Sequence, residues 1–288
     1  MVYLLTDLGY CSGVNNAINI IKKIRENNPD TVIYMNHPLV HNEETLKELN
    51  FGDKLKVIDL NSVTEKVDGV LVFCAHGHTK AEDEKKKFFS ESYDALCPLL
   101  KSIQAMVNRS TGDDWTILFY GDKNHPETQA ILDNFNNYVF IDKRDNLEKV
   151  IKNANLKNKV YLHTQSTILS VPYQEICDIV KSINPNAEFV YNFPCPMLKK
   201  RVEAINKVCK KIEDNEKNLI IVVGDKSSSN SNELVKYTQK FFKNLKVIMF
   251  SNTTEVESVK GKYEKYYIIS STSASVKTCE DIASLLKD

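Results

Sequence analysis

Along the chain, short β-rich apolar runs alternate with stretches whose apolar residues recur every three or four positions. That alternation is the pattern of α/β architecture with mainly parallel sheets. It predicts strands at Val2–Thr6, Thr31–Met35, Lys56–Asp59, Gly69–Ala75, Trp115–Tyr120, Tyr138–Ile141, Lys159–His163, Glu188–Tyr191, Leu219–Val223, Val247–Phe250 and Lys265–Ser271. It predicts helices at Val14–Arg25, Glu43–Leu49, Lys80–Phe89, Leu99–Arg109, Pro126–Phe135, Leu147–Lys152, Val171–Ile183, Lys199–Glu213, Ser231–Lys243 and Val276–Leu286. In the first helix, Val14, Ile18, Ile21 and Ile24 fall on one face with polar residues opposite. No low-complexity linker divides the chain, and no strict sequence repeat is visible.

Composition narrows the functional class. Hydrophobic residues make up 42% and charged residues 26%, an ordinary balance for a globular protein. Lys+Arg and Asp+Glu both number 38, so no global field favours nucleic acid or an anionic membrane. The apolar runs, such as Leu219–Val223, are far too short to span a bilayer. The first residues lack the basic flank and long apolar region of a signal peptide, so a cytoplasmic location is expected. Seven cysteines, an odd number, argue against a disulfide framework.

Three of those cysteines share a context. Cys11, Cys97 and Cys195 each follow a strand-like run and stand directly before a helical pattern, in LLTDLGYCSGVNNAI, YDALCPLL and FVYNFPCPMLKKRVEAI. Proline follows two of them, and proline suits the first helical position because its missing N–H costs nothing there. A cysteine at a helix start has its thiolate favoured by the positive end of the helix dipole. The spacings of 86 and 98 residues imply three structural thirds, near 12–97, 98–194 and 195–280. Three thiolates from three similar units suit one soft metal centre. Cys74, Cys177, Cys209 and Cys279 lie in apolar patterns and read as small buried hydrophobes.

Polar residues gather after the strands, where open α/β sheets carry their functional groups. His41 lies in HPLVHNEE, His76 in CAHGH and His125 in KNHPET, with Glu127 two residues further on. A lone histidine is more often a satisfied polar residue than a catalyst; three at strand ends point to neutralisation of a phosphate-bearing substrate. A carboxylic acid beside them can relay protons. Zinc held by these histidines is the competing reading. The segment VVGDKSSSNSNELVKY offers hydroxyls, an amide and unpaired N–H groups at a helix start, which suits phosphate oxygens. One helix cap needs one such residue, and six follow in succession. HTQST and SSTSAS are further polar runs after strands.

Taken in order, GYCSGVNNAI, HPLVHN, AHG, ALCPL, NHPET, TQST, FPCPM, KSSSNSN and STSAS make the chain resemble the 4-hydroxy-3-methylbut-2-enyl diphosphate reductases, the IspH/LytB family, from the first strand to the last helix. The resemblance implies three α/β units about a pseudo-threefold axis with a central 4Fe–4S cluster held by Cys11, Cys97 and Cys195. It implies that His41, His76, His125, Ser228, Ser229, Asn230 and Ser275 surround the diphosphate. Glu127 is then the proton donor, with His125 and Ser166 in the catalytic set; Ser166 takes the place of a threonine. Ferredoxin or flavodoxin would supply two electrons, and the allylic hydroxyl would leave as water to give isopentenyl and dimethylallyl diphosphates. The chain departs from the pattern at Leu96, Leu198 and Lys200, in the GDK before NHPE, at His78 and in the longer TQSTILS. Those departures keep two alternatives open: a relative acting on another phosphorylated or hydroxylated substrate, and a non-catalytic phosphate-binding protein.

Overall fold

The structure, a computed structural model, describes residues 1–288 except 41–42, 110–111, 113, 136, 193, 212–216 and 288. The chain divides into two compact units. One comprises Met1–Thr31, Pro38–Lys56 and Cys195–Asp288; the other comprises Val32–His37 and Val57–Pro194.

Three four-stranded sheets form the framework, and every strand pairing in their described registers is parallel. The first sheet joins β1 (Val2–Leu4), β10 (Asn218–Val223), β11 (Lys246–Phe250) and β12 (Lys265–Ser270). The second joins β2 (Ile33–Met35), β3 (Leu55–Val57), β4 (Val70–Phe73) and β5 (Glu91–Asp94). The third joins β6 (Trp115–Gly121), β7 (Val139–Asp142), β8 (Lys159–Thr164) and β9 (Glu188–Tyr191). Parallel strands need helical crossovers. These include α1 (Ser12–Asn27), α2 (Glu43–Leu49), α3 (Lys80–Asp83), α4 (Pro98–Arg109), α5 (Pro126–Leu132), α6 (Leu147–Lys152), α7 (Tyr173–Ile183), α8 (Pro196–Cys209) and α9 (Ser229–Phe241), with α10 (Val276–Leu285) closing the chain.

One strand order recurs in all three sheets. The second runs β3-β2-β4-β5, the third β7-β6-β8-β9 and the first β11-β10-β12-β1. Counted from the strand that opens each unit, every sheet reads 2-1-3-4; in the first sheet the chain's own first strand takes the fourth place. In such an order the first and third strands are central, and their connections leave in opposite directions. Their carboxyl ends therefore flank a crevice, the switch point at which α/β sheets bind ligands. Three similar α/β units with parallel sheets, as the sequence pattern implies, are what the chain forms.

The central strands are apolar because both of their faces are covered. All six residues of β10 are buried, and Leu219, Ile221 and Val223 pack with Ile268 and with Cys279, Ile282 and Ala283 of α10. In the third sheet Leu118, Val160 and Leu162 pack on Ile176 and Val180 of α7. Each fully buried aliphatic side chain contributes about 1.5–3 kcal/mol relative to exposure. Among the described residues no helix is long and apolar enough to cross a membrane.

Candidate active site

Within the second unit, the loops at the switch points carry four of the expected site residues, His76, His125, Glu127 and Ser166. β6 and β8 are paired with Tyr120 opposite Thr164. The chain leaving β6 turns at Asp122, whose carboxylate accepts the Asn124 N–H at 3.0 Å. α5 then starts at Pro126, with His125 as its N-cap: the imidazole Nδ1 accepts the Glu127 N–H at 3.3 Å. That places Glu127 in the first helical turn, 1% exposed. The loop after β8 brings Ser166 to it. The Ser166 N–H donates to Glu127 Oε1 at 2.6 Å, and its hydroxyl donates to Oε2 at 2.8 Å. Burial pushes the Glu127 carboxyl up to about 7; the two Ser166 donors act against that rise without cancelling it.

His76 joins this group from the loop after β4. Its ring meets that of His125 edge-on, with centroids 5.8 Å apart and planes at 89°. Gly77 turns the chain with φ +94, and a Cβ there would lie 3.1 Å from the Ala130 Cβ of α5 and 3.3 Å from Leu96 Cδ1. Only glycine adopts that turn this close to α5 without strain. The Cys97 N–H donates to the Ala75 carbonyl at 3.1 Å, so the cysteine loop before α4 is tied to the loop bearing His76. His78 has a structural place instead. It stacks on Phe73 at 3.8 Å between centroids, and its Nε2 lies 3.4 Å from Asp83 Oδ1.

The first unit gathers the remaining described residues in the same manner. Gly224 ends β10 so closely against its neighbours that a Cβ would lie 2.2 Å from Ser231 Oγ and 2.7 Å from Ser271 Oγ. Asp225 then accepts the Ser227 N–H at 2.8 Å, and Ser228 caps α9 by accepting the Ser231 N–H at 3.4 Å. Ser228 is buried, Ser229 and Asn230 are half-buried, and the Asn230 Oδ1 is buried with no partner among the described residues. After the adjacent β12, Ser275 caps α10 by accepting the Thr278 N–H at 2.9 Å. Two helix N-termini with hydroxyl caps thus leave adjacent parallel strands, an arrangement suited to an anion.

These two loops expose a repeat that the sequence pattern did not announce. Gly121-Asp122-Lys123 before His125 and Gly224-Asp225-Lys226 before Ser228 are the same tripeptide at the ends of corresponding strands, β6 and β10. Each aspartate makes the same turn, and each tripeptide is followed by the helix cap. GDK occurs three times, and the copy at Gly52–Lys54 forms a 3-10 turn instead, so the tripeptide alone does not mark the repeat; the differing residues behind the other two, NHPE and SSSN, conceal it further.

The three cysteines occupy equivalent places. Cys11 follows β1, Cys97 follows β5 and Cys195 follows β9, each the fourth strand of its sheet, and each directly precedes a helix. All three are half-buried, and among the described residues no disulfide involves any cysteine. Cys11 caps α1, its Sγ accepting the Val14 N–H at 3.5 Å, and its own N–H donates to the Thr272 carbonyl at 3.2 Å. Among the described residues no three His, Cys, Asp or Glu side chains are grouped as the ligands of a single metal ion. Half-buried thiols at helix N-termini, free of disulfides, are a donor set suited to iron–sulfur ligation. His41 lies outside the described residues.

Comparison with known proteins gives this arrangement its context. The family model described as LytB protein matches residues 2–287. The chain belongs to the LytB family. A curated LytB-family relative, the 4-hydroxy-3-methylbut-2-enyl diphosphate reductase of Campylobacter hominis, is 31% identical over 258 residues, covering 89% of this chain and 88% of that protein. The protein of the same name from Mannheimia succiniciproducens is 27% identical over 268 residues, covering 90% of this chain and 82% of that one. A solved structure of the E-1-hydroxy-2-methyl-but-2-enyl-4-diphosphate reductase from Plasmodium falciparum superposes with a TM-score of 0.81 at 26% identity, covering all of this chain and 88% of that chain.

Proposed function

We propose that this LytB-family chain is a 4-hydroxy-3-methylbut-2-enyl diphosphate reductase, which removes the allylic hydroxyl of its substrate as water and yields isopentenyl and dimethylallyl diphosphates. The observation that carries the reading is the buried Glu127–Ser166 pair beside His125 and His76. A carboxyl held up to about 7 is protonated in about half of the molecules at neutral pH, where an ordinary glutamate is almost fully ionised, and can release that proton to a leaving hydroxide. Ser166, in hydrogen-bonding contact with that carboxyl, can pass the proton on. The loop hydroxyls and helix N–H groups of Ser228, Ser229, Asn230 and Ser275, with the imidazoles of His41, His76 and His125, hold the diphosphate. Holding it fixes the allyl fragment for reaction.

Cys11, Cys97 and Cys195 hold a 4Fe–4S cluster in this reading. When bound, that cluster supplies Lewis acidity towards the substrate hydroxyl and the route for two electrons from ferredoxin or flavodoxin. The three equivalent cysteine places and the recurring strand order support it, and α/β units near 12–97, 98–194 and 195–280 about a pseudo-threefold axis belong to the same proposal. A cytoplasmic location and independence of nucleic acid and membrane complete the reading.

A second substrate, phosphorylated or hydroxylated differently, is favoured by one observation. Leu96, beside Cys97, places its Cδ1 against Gly77 and so presents an apolar group next to the His76 turn. Complementation of a strain depleted of the reductase separates the two. Growth with the wild-type chain and none with Glu127→Gln supports the reductase; no growth with a fully cluster-loaded wild-type chain favours the second substrate.

A further inference from the structure

Arg201 heads the largest fully buried side chains of the protein and is 0% exposed. It projects from α8, six residues beyond Cys195. Its Nε donates to the Asp7 carbonyl at 3.1 Å, and its Nη2 donates to the Gly9 carbonyl. Nη1 is buried and has no hydrogen-bond partner among the described residues. A guanidinium stays protonated in proteins, so this is a buried cation with one end unsatisfied. Such a group costs several kcal/mol unless an anion compensates it. Among the described residues no carboxylate forms an ion pair with it. Burial disfavours its charge, and the groups acting in its favour are, in order, Cys11, Cys195, Cys279 and Asp7.

The segment it grips is a conformationally demanding one. Asp7 has φ +61 and Gly9 φ +90, and a Cβ on Gly9 would lie 2.8 Å from Val276 Cγ2. A non-glycine residue in the left-handed region persists only where its surroundings hold it. Here Arg201 holds two carbonyls, Ser270 Oγ accepts the Gly9 N–H at 2.8 Å, and the Thr272 carbonyl accepts the Cys11 N–H.

We infer that Arg201 is the positioning residue and internal counter-cation of the cysteine centre: it clamps the loop that carries Cys11 onto the helix that Cys195 begins, and its remaining N–H groups serve the anionic sulfur of the bound cluster. The inference rests on the cluster reading above and adds a residue to it. A positive charge beside a cluster stabilises its reduced, more negative state, so Arg201 makes the protein's cluster easier to reduce.

The test uses Arg201→Met, which keeps volume without charge, and Arg201→Lys, which keeps charge without the two-carbonyl grip. Both are purified anaerobically as the full chain, and iron, acid-labile sulfide, the electron paramagnetic resonance spectrum and the reduced fraction at a fixed poise are measured. With the cluster present, Arg201→Met is expected to lower the ratio of reduced to oxidised cluster about tenfold and to shift the spectrum, and Arg201→Lys to recover the ratio to within about threefold. An unchanged ratio and spectrum in Arg201→Met overturns the counter-cation. Amide hydrogen exchange over residues 5–11 of the cluster-free chain is the second arm: Arg201→Met is expected to exchange at least tenfold faster there than wild type. Equal exchange overturns the clamp, including where the variant binds no cluster. A wild-type chain that binds no cluster would defeat the cluster reading instead, and the exchange arm would still decide whether Arg201 holds the loop.

Discussion

Replacing Glu127 by glutamine preserves the shape of the side chain and removes its ability to ionise. In the fold the carboxyl rises from 4.5 to about 7 because it is buried. The folded chain therefore binds more protons than the unfolded chain between those values, so stability is greatest below 4.5 and falls as pH climbs through about 7. Ionising the buried group costs about 3 kcal/mol by pH 8. Glutamine avoids that cost: its Oε1 can still accept the Ser166 N–H, and the Ser166 hydroxyl can turn to accept from Nε2. Thermal unfolding of wild type and Glu127→Gln across pH 5–8 should thus diverge, the variant gaining roughly 5 °C at pH 8 for a chain of this size and almost nothing at pH 5. Turnover should fall in the opposite sense, by about 100-fold or more, because the proton donor is gone. Wild-type turnover should decline above pH about 7, with the residual activity of the variant lacking that limb. Parallel melting curves at every pH would refute the reasoning, since they would mean that Glu127 titrates alike in both states.

Ser166→Ala leaves only the backbone donor on the carboxylate, so the alkaline limb of the pH–rate profile should move up by about one pH unit. Cys11→Ser, Cys97→Ser and Cys195→Ser should each lose most of the iron and labile sulfide found after anaerobic purification, while Cys177→Ser, on α7, should retain both. Gly224→Ala places a methyl 2.2 Å from Ser231 Oγ, so it should lower stability by about 1–3 kcal/mol in denaturant titration and raise KM for the diphosphate. Asn230→Ala should raise KM at least tenfold with a smaller change in kcat, as expected for a group that holds the diphosphate rather than the reacting carbon.

How far the sequence reaches can be read from particular elements. The expected helices at Glu43–Leu49 and Leu147–Lys152 match the observed limits, because their apolar spacing is unambiguous and, in the second, Asn146 caps the start. Lys80–Phe89, expected as one helix, is α3 followed by a 3-10 stretch over Glu84–Phe88. The Thr79–Glu82 capping box fixes its start, and past Asp83 the chain tightens into i to i+3 bonding, closed by the Phe89 N–H donating to the Lys86 carbonyl at 3.1 Å. β5 is absent from the expected strands, its one trace being the short run YDAL ahead of Cys97: Glu91, Ser92, Tyr93 and Asp94 are exposed and carry no apolar alternation, so only pairing to β4 makes them a strand.

The site divides in the same way. Strand ends and helix starts point to Glu127 and the serine loops, since capping residues announce themselves locally, whereas Ser166 is singled out by the family resemblance alone. That Glu127 and Ser166 bond to each other across 39 residues of sequence is set by the pairing of β6 with β8 and by nothing local. Arg201 carried a signal that went unread. It falls in the apolar stripe of α8 with Leu198, Val202, Ile205 and Cys209, where a charged residue requires a buried partner.

Product analysis under anaerobic conditions tests the central claim most directly. The cluster-loaded wild-type chain is incubated with 4-hydroxy-3-methylbut-2-enyl diphosphate and a chemical reductant. The account predicts isopentenyl and dimethylallyl diphosphates, with two electrons consumed for each substrate lost. Substrate left intact by a chain that holds about four irons would contradict it.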